Sequence, residues 1–238
     1  MPGKTLLVLG SGPGIGVGVA STFAVRGFTH IALVSRDASR LKEDQGKILD
    51  AIQERGYSCQ VKTWTCDLTA AGQLKKVLGE VEGYGDLECV LFNAARVSGK
   101  PPLEESVEAI KGDFELTNVA LYNTAQWAIP LLKDKSGGDR SPSFFVTSTT
   151  MLWKEPAPAL MSLSMVKSAQ RAMVLSLHAY HGKEVHIALL SVGGVVSPDK
   201  INLTPQHISD RCWHLYKQPK DKWERDEMID VAEGEQVG

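Results

Sequence analysis

A cluster of glycines near the start of the chain has the composition of a phosphate-binding turn. The stretch "LGSGPGIG" places Gly10, Gly12, Gly14 and Gly16 at the end of an apolar run, residues 5–10. Glycine lacks a side chain, so the turn can be tight and its backbone can approach a pyrophosphate closely. Such clusters also occur as plain turns. A preceding strand and a following helix favour the nucleotide, because unpaired N–H groups at the helix start attract an anion.

The end of the second apolar segment bears on the choice of nucleotide. The segment "HIALVS" ends in Ser35, and Arg36 follows it. A guanidinium can pair with a 2′-phosphate, whereas an acidic residue at this point is typical of ribose recognition in NAD sites. Asp37 comes one position later and is better explained as the N-cap of a helix. The pattern favours NADP(H) over NAD(H), with a solvated surface arginine as the alternative for Arg36.

Alternating apolar segments predict the elements that position these residues. Because strands and helices alternate, the crossovers should be right-handed and the strands parallel. We predict an α/β fold: a Rossmann-type doubly wound parallel sheet of six or seven strands, flanked by helices on both faces in a three-layer αβα arrangement. The predicted strands are 5–10, 30–35, 58–68, 87–95, 143–150 and 184–194, and the predicted helices are 15–26, 37–56, 71–85, 104–133 and 158–182.

The last part of the chain differs from the rest in its high charge. The alternating series continues to about residue 200 without a linker, so we predict one domain over residues 1–238. From about residue 218 the chain reads as a charged, solvated tail, with a partner-binding segment as the alternative. Within the tail, "MIDV" at 228–231 is the only candidate for a last short strand.

Several motifs in order resemble those of the short-chain dehydrogenase/reductase family, over residues 5 to about 200. Leu9 departs from the family's pattern, which has threonine before the glycine turn. The resemblance implies adenine contacts from an Asp-Leu pair, an Asn-Ala-Gly-like motif after the fourth strand, and backbone contacts after the sixth strand. The cofactor-binding residues that it implies are Gly10, Ser11, Gly14, Ile15, Gly16, Ser35, Arg36, Asp67, Leu68, Asn93, Ala94, Ala95, Lys167, Gly194 and Val196.

The catalytic positions that the resemblance implies are only partly conventional. Asn118 matches the helix asparagine, and Thr149 falls at the place of the serine, with Ser148 beside it; a polar strand end is the alternative. Lys167 matches the lysine that binds the nicotinamide ribose. Leu163, four positions earlier, stands where the family has a tyrosine, and leucine cannot transfer a proton. The residues expected to act are therefore Asn118, Ser148, Thr149 and Lys167.

Two classes of function follow. The first is an NADP(H)-dependent oxidoreductase acting on a small or medium apolar carbonyl or alcohol, with its proton supplied by Lys167, a water, Thr149 or Tyr122. Tyr122 lies four positions after Asn118, although a packing role at a subunit interface is the alternative. The second is a non-redox member of the fold (an isomerase, dehydratase or cyclase) or a nucleotide-binding pseudoenzyme in which NADP(H) is structural.

Composition excludes several other classes of function. The net charge of -2 gives no basic footprint for nucleic acid, and no apolar run is long enough to span a membrane. No secretory signal is visible at the N-terminus. The four cysteines and six histidines are scattered, which favours reduced thiols in a cytoplasmic protein without a metal site. The resemblance implies a small-molecule substrate and a homodimer or homotetramer formed through the long helices.

Overall fold

Seven parallel strands form a single sheet in the computed structural model, which describes residues 3–135, 140–155 and 157–234. The spatial order is β3-β2-β1-β4-β5-β6-β7, so the direction of strand addition reverses between β1 and β4. A crevice forms at such a reversal, beyond the carboxyl ends of the strands. The predicted doubly wound parallel sheet is confirmed. The strands are β1 (Lys4–Leu9), β2 (His30–Ser35), β3 (Gln60–Thr65), β4 (Asp86–Phe92), β5 (Ser143–Thr149), β6 (His186–Val192) and β7 (Asp226–Ile229).

Helices cover both faces of the sheet because its central strands are apolar on both sides. In β1, for example, Leu6 and Val8 pack with α1, α2 and α8, whereas Leu7 and Leu9 pack with α3, α5 and α7. Such double burial is typical of a parallel sheet. The helices are α1 (Ile15–Ala24), α2 (Ala38–Glu54), α3 (Ala71–Glu82), α4 (Val107–Phe114), α5 (Ala120–Asp134), α6 (Met151–Lys154), α7 (Met161–His181) and α8 (Pro205–Lys217).

The segment 104–133, predicted to form one or two long helices, forms two helices joined by a wider turn. Between α4 and α5, residues Glu115–Val119 adopt π-helical geometry, and Asn118 lies within this π-helical turn. π-Helical turns inside α-helices occur frequently at functional sites, since the inserted residue changes the direction of neighbouring side chains. The π-helical turn therefore marks Asn118 and the backbone around it as a candidate functional site.

The prediction of a solvated C-terminal tail is wrong for the segment that forms β7. Asp226–Ile229 pairs in parallel with β6, two residues earlier than the predicted "MIDV" strand. Within this edge strand Glu227 is buried, and Arg211 of α8 forms an ion pair with it. In a sequence, an acidic residue is read as exposed, because burying its charge is favourable only when a partner of opposite charge is present. Helix α8, which carries that partner, was not predicted.

Candidate cofactor and active site

The glycine turn between β1 and α1 is held against the end of β4. Gly10 has a φ of +87°, and a Cβ placed on it would lie 2.5 Å from the backbone nitrogen of Ala94. The side chain of Asn93 locks the contact, its Nδ2 donating to the Gly10 carbonyl oxygen at 2.9 Å. Only glycine fits this conformation and this approach together. A Cβ at Gly12, by contrast, would meet nothing within 4 Å, which leaves the outer side of the turn open for a ligand.

A buried pair ties the same turn to α2. Ser11 Oγ donates to Asp44 Oδ2 at 2.7 Å, and both side chains are buried. A short hydrogen bond to a carboxylate is stronger than one between neutral groups, so it restricts the turn. Asp44 was not singled out from the sequence. Its position in the middle of a helix gives no local sign that it faces the turn.

A cavity of about 430 Å³ opens at the carboxyl ends of the strands, beside the glycine turn. Its size falls within the usual range for small-molecule sites. Nine of the predicted cofactor-binding residues lie on its wall: Gly10, Ser11, Ser35, Arg36, Asp67, Leu68, Asn93, Ala94 and Ala95. Eight further residues complete the wall: Arg40, Cys66, Thr69, Arg96, Ala109, Gly112, Asp113 and Leu116.

One wall of the cavity is basic. Arg36 and Arg40 both line it, and neither takes part in a salt bridge within the described ranges. Asp37 lies between them but is used as the predicted helix cap, its Oδ1 accepting from the Arg40 backbone N–H at 3.0 Å. This hydrogen bond is the largest cause of the lowered pKa of Asp37. Arg40 was missed from the sequence, where it reads as a solvated residue in the first turn of a helix.

Asp67 also lines the cavity, as an ionised carboxylate. Its Oδ1 accepts from the Thr69 hydroxyl at 2.8 Å and from the Thr69 backbone N–H at 3.0 Å. These bonds lower the pKa of Asp67, and the positive charge of Arg36 lowers it further. The carboxylate therefore keeps its acceptor character at neutral pH, as contact with an amino group of a nucleotide base requires.

An ion pair also lines the cavity. Arg96 binds Asp113 of α4 through two parallel hydrogen bonds, Nε to Oδ1 at 2.6 Å and Nη2 to Oδ2 at 3.0 Å. Asp113 also accepts from the Ser162 hydroxyl of α7 at 2.6 Å. The network joins the loop after β4 to two helices. It was missed from the sequence, where the only sign was that Arg96 directly follows the Asn93–Ala95 motif.

Lys167 lies in the interior, and not on the wall of the described cavity. Its Nζ donates to the Thr147 carbonyl oxygen at 2.8 Å and to Gln170 Oε1 at 2.9 Å. Burial lowers the pKa of the Lys167 ammonium from its ordinary 10.5 to about 7, because water no longer solvates the charge. The side chain can therefore exist in either protonation state near neutral pH.

The other predicted catalytic residues also do not line the cavity. Asn118 Nδ2 donates to the Val166 carbonyl oxygen at 3.2 Å, which places Asn118 beside the residue that precedes Lys167. Its Oδ1 and the Ser148 Oγ are buried without a hydrogen-bond partner in the described chain. Thr149 Oγ1 accepts from the Met151 backbone N–H at 3.2 Å. Thr149 is half-buried and Ser148 buried.

Leu163 and Tyr122 occupy different environments. Leu163 is buried in a small apolar cluster with Leu152 and Val166. Tyr122 is half-exposed on α5, and its side chain is not on the wall of the cavity. A half-exposed position outside the cavity disfavours Tyr122 as a proton donor.

The remaining predicted cofactor residues lie around the start of α1. Gly16 packs tightly on the turn, since a Cβ there would lie 3.2 Å from Ser11 Cα. Val196 reaches the turn from the loop after β6, because a Cβ on Gly14 would lie 3.9 Å from Val196 Cγ1. Ile15 and Val196 pack against the same apolar core. Gly194, two residues before Val196, is half-buried. These residues border the turn and not the wall of the cavity.

Two other kinds of site are not found in the part of the chain that the structure describes. Over residues 3–135, 140–155 and 157–234, His, Cys, Asp and Glu side chains form no group of three that could hold a metal ion. Within these ranges, no helix combines the length and the apolar character needed to cross a membrane.

The sheet order and the glycine-lined crevice define a dinucleotide-binding type of α/β protein. Residues 4–207 match the sequence pattern of the short chain dehydrogenase family. The chain therefore belongs to this family.

Known proteins similar to the chain differ in substrate and cofactor. L-fucose dehydrogenase of Oryctolagus cuniculus is 26% identical over 198 residues, which cover 82% of this chain and 64% of that protein. The chain thus spans less than two thirds of the length of that relative. An alcohol dehydrogenase of Thermococcus sibiricus, complexed with 5-hydroxy-NADP, superposes with a TM-score of 0.81 at 23% identity and covers 98% of this chain and 99% of that one. The NADH-dependent reductase A1-R′, complexed with NAD, gives a TM-score of 0.79 at 17% identity, covering 98% and 96%.

Proposed function

We propose that the protein is an NADP(H)-dependent oxidoreductase that acts on a small or medium apolar carbonyl or alcohol. The observation that carries the proposal is the basic wall, where Arg36 and Arg40 flank the cavity beside the glycine turn. The acidic residue between them, Asp37, is engaged as a helix cap. A 2′-phosphate would meet two guanidinium groups there, which suits NADP(H) better than NAD(H).

The residues present fit a bound dinucleotide. The open outer side of the turn at Gly12 and the start of α1 would hold the pyrophosphate. Asp67 and Leu68 would meet the adenine, and Asn93–Ala95 would border the adjoining ribose. When bound, the nicotinamide supplies the hydride chemistry of this class.

The chain's own contribution to the chemistry would come from the buried groups behind the cavity. Ser148 and Thr149 offer hydroxyls for a substrate oxygen, and Lys167 offers an amine that ionises near neutral pH. Leu163 offers no proton. Loss of a general acid typically lowers a rate by about 10²- to 10⁴-fold, so we expect slow turnover unless Lys167, Thr149 or a water replaces it.

Calorimetric titration of NADPH and NADH tests the cofactor assignment. We expect NADPH to bind more tightly, and the Arg36→Ala/Arg40→Ala double variant to lose about 10- to 100-fold in NADPH affinity, as expected for lost hydrogen bonds to a charged group. NADH affinity should change little. Lys42→Ala, which removes an exposed cation of α2 outside the cavity, is the matched control. Equal affinities of the wild type for the two cofactors would contradict the assignment.

A second candidate function is supported by the environment of Leu163. Its burial in an apolar cluster suits a member of the fold that binds, isomerises, dehydrates or cyclises a ligand with NADP(H) structural. A panel of carbonyls and alcohols separates the two candidate functions. Each reaction is monitored through the change in NADPH absorbance, and Lys167→Ala is the control. Turnover above the control favours the oxidoreductase. NADPH binding without turnover favours the second candidate.

A further inference from the structure

Gln170 connects the Lys167 amine to the π-helical turn that carries Asn118. Its Oε1 accepts from Lys167 Nζ at 2.9 Å, and its Nε2 donates to the Thr117 carbonyl oxygen at 3.2 Å. The Gln170 side chain is fully buried. Turning the amide over would set an N–H group against the ammonium and an oxygen against the carbonyl, so the two bonds fix one orientation.

The ammonium is in turn oriented by acceptors on two separate elements. Nζ donates to the Thr147 carbonyl oxygen near the end of β5 at 2.8 Å and to Gln170 on its own helix. A protonated lysine carries three N–H donors. With two of them committed, the direction of the third is set by the tetrahedral geometry at Nζ. Without the Gln170 side chain, the ammonium would keep only its hydrogen bond to the Thr147 carbonyl oxygen, and a single bond does not fix its rotation.

Buried polar atoms without hydrogen-bond partners lie on the two residues whose carbonyls accept from Lys167 and Gln170, and on the next residue along the chain in each case. Within the described ranges, Asn118 Oδ1 and Ser148 Oγ are buried without a partner, and so are Thr117 Oγ1 and Thr147 Oγ1. Buried polar atoms without partners are uncommon in folded proteins, so this part of the interior is suited to receive polar groups from a ligand.

We propose that Gln170 is a positioning residue of this site, which holds the Lys167 ammonium so that one N–H is kept for the bound ligand. The proposal rests on the proposed function, since the ligand is the dinucleotide. Gln170 itself contacts protein groups and acts through Lys167.

Charged groups on the neighbouring elements do not replace this role. Asp113 is occupied by Arg96 and Ser162, and Glu115 of the π-helical turn is exposed. β5 carries no charged side chain. Of the other charged or titratable groups on α7 and the elements packed against it, Arg171 binds Asp226, Lys154 binds Asp230, and His178 and His186 bind backbone carbonyl oxygens. Glu108 and Lys111 of α4 are exposed, and His181 lies at the far end of α7 from Lys167.

The pH dependence of NADPH binding separates positioning from general packing. We expect the wild-type affinity to fall as pH rises through about 7, where the free Lys167 loses its charge. In Gln170→Glu a carboxylate faces the ammonium, so the midpoint should move up by at least about one pH unit. In Gln170→Leu the cation loses an acceptor, so the midpoint should move down, and affinity below the midpoint should fall about 3- to 30-fold.

A control and a second readout keep the test independent of folding and of the cofactor. Val174→Ala, one turn further along α7 in the apolar core, should lower stability without moving the midpoint. The pH profile of unfolding by urea, measured without NADPH, should show the same opposite shifts for the two Gln170 variants. Midpoints unchanged from the wild type in both variants would overturn the proposal. If the wild type binds neither NADPH nor NADH, the proposed function fails, while the unfolding profile still decides the role of Gln170.

Discussion

Replacing Lys167 by methionine should change how the stability of the protein depends on pH. Burial lowers the pKa of Lys167 from 10.5 to about 7 in the folded chain. Between these values the unfolded chain binds more protons than the folded one, so the wild-type free energy of unfolding rises with pH. Below about pH 7 both states carry the proton and this contribution is flat. Methionine carries no proton and fills a similar volume, so Lys167→Met removes this pH dependence. It also removes the two hydrogen bonds that Nζ donates, so the prediction concerns how the stability difference changes with pH and not its absolute value.

The magnitude follows from the size of the pKa shift. A shift from 10.5 to about 7 is 3.5 pKa units, and each unit is worth about 1.36 kcal/mol. The wild-type minus Lys167→Met difference in unfolding free energy should therefore increase by about 1.4 kcal/mol per pH unit above pH 7. Between pH 6 and pH 9 it should increase by about 2.7 kcal/mol, since roughly two of the units are gained there.

Urea unfolding at pH 6, 7, 8 and 9, followed by far-UV circular dichroism, measures this difference. Groups that titrate equally in both proteins cancel from it. Lys76→Met, which removes an exposed lysine of α3, controls for the loss of one positive charge. A wild-type minus Lys167→Met difference that stays constant within about 0.5 kcal/mol, which is typical of additive changes, would refute the claim that Lys167 is buried without a compensating charge.

Two further predictions concern the turn and the apolar cluster. Gly10→Ala should lower the free energy of unfolding by more than about 3 kcal/mol, because a left-handed φ costs about 1–2 kcal/mol and the added Cβ overlaps the Ala94 nitrogen. Gly56 has a similar φ of +67° with open space around it. Gly56→Ala should therefore lower the free energy of unfolding only by the cost of the left-handed φ in the same urea assay. Leu163→Tyr should raise the turnover of NADPH by about 10²-fold or more if a phenol is what the site lacks. Leu163→Phe is the matched control in that assay, and an equal rate for the two variants would contradict the reasoning.

The features predicted well from the sequence are those that depend on local backbone chemistry. The glycine turn needs a positive φ at Gly10, and the Asp37 cap needs an oxygen three residues before the N–H of Arg40. The positions of Asp67 and Asn93 follow from the strand ends that they occupy. Each signal lies within a few residues of the feature it specifies, so spacing alone can reveal it.

The features that were missed depend on contacts between distant segments. Glu227 is buried in the edge strand β7, where Arg211 forms an ion pair with it, and the strand begins two residues before its apolar pattern suggests. Arg96 meets Asp113 across 17 positions, and Ser162 reaches the same carboxylate across 49. A charged or hydroxyl side chain in isolation reads as exposed, since its burial is favourable only once a partner is present.

The same distinction explains why the proposed cofactor-binding residues are easier to predict from the sequence than the proposed catalytic ones. Phosphates are bound mainly by backbone N–H groups and flanking cations, which a short motif can specify. Lys167 instead owes its pKa to burial, and its orientation to Thr147 on β5 and to Gln170, which is itself held by Thr117. A lysine four positions after Leu163 indicates where the amine is attached, but the acceptors around Nζ determine what it can do. The leucine at position 163, where the resemblance implies a tyrosine, therefore does not by itself decide the chemistry, because an amine with a pKa of about 7 can exchange protons near neutral pH.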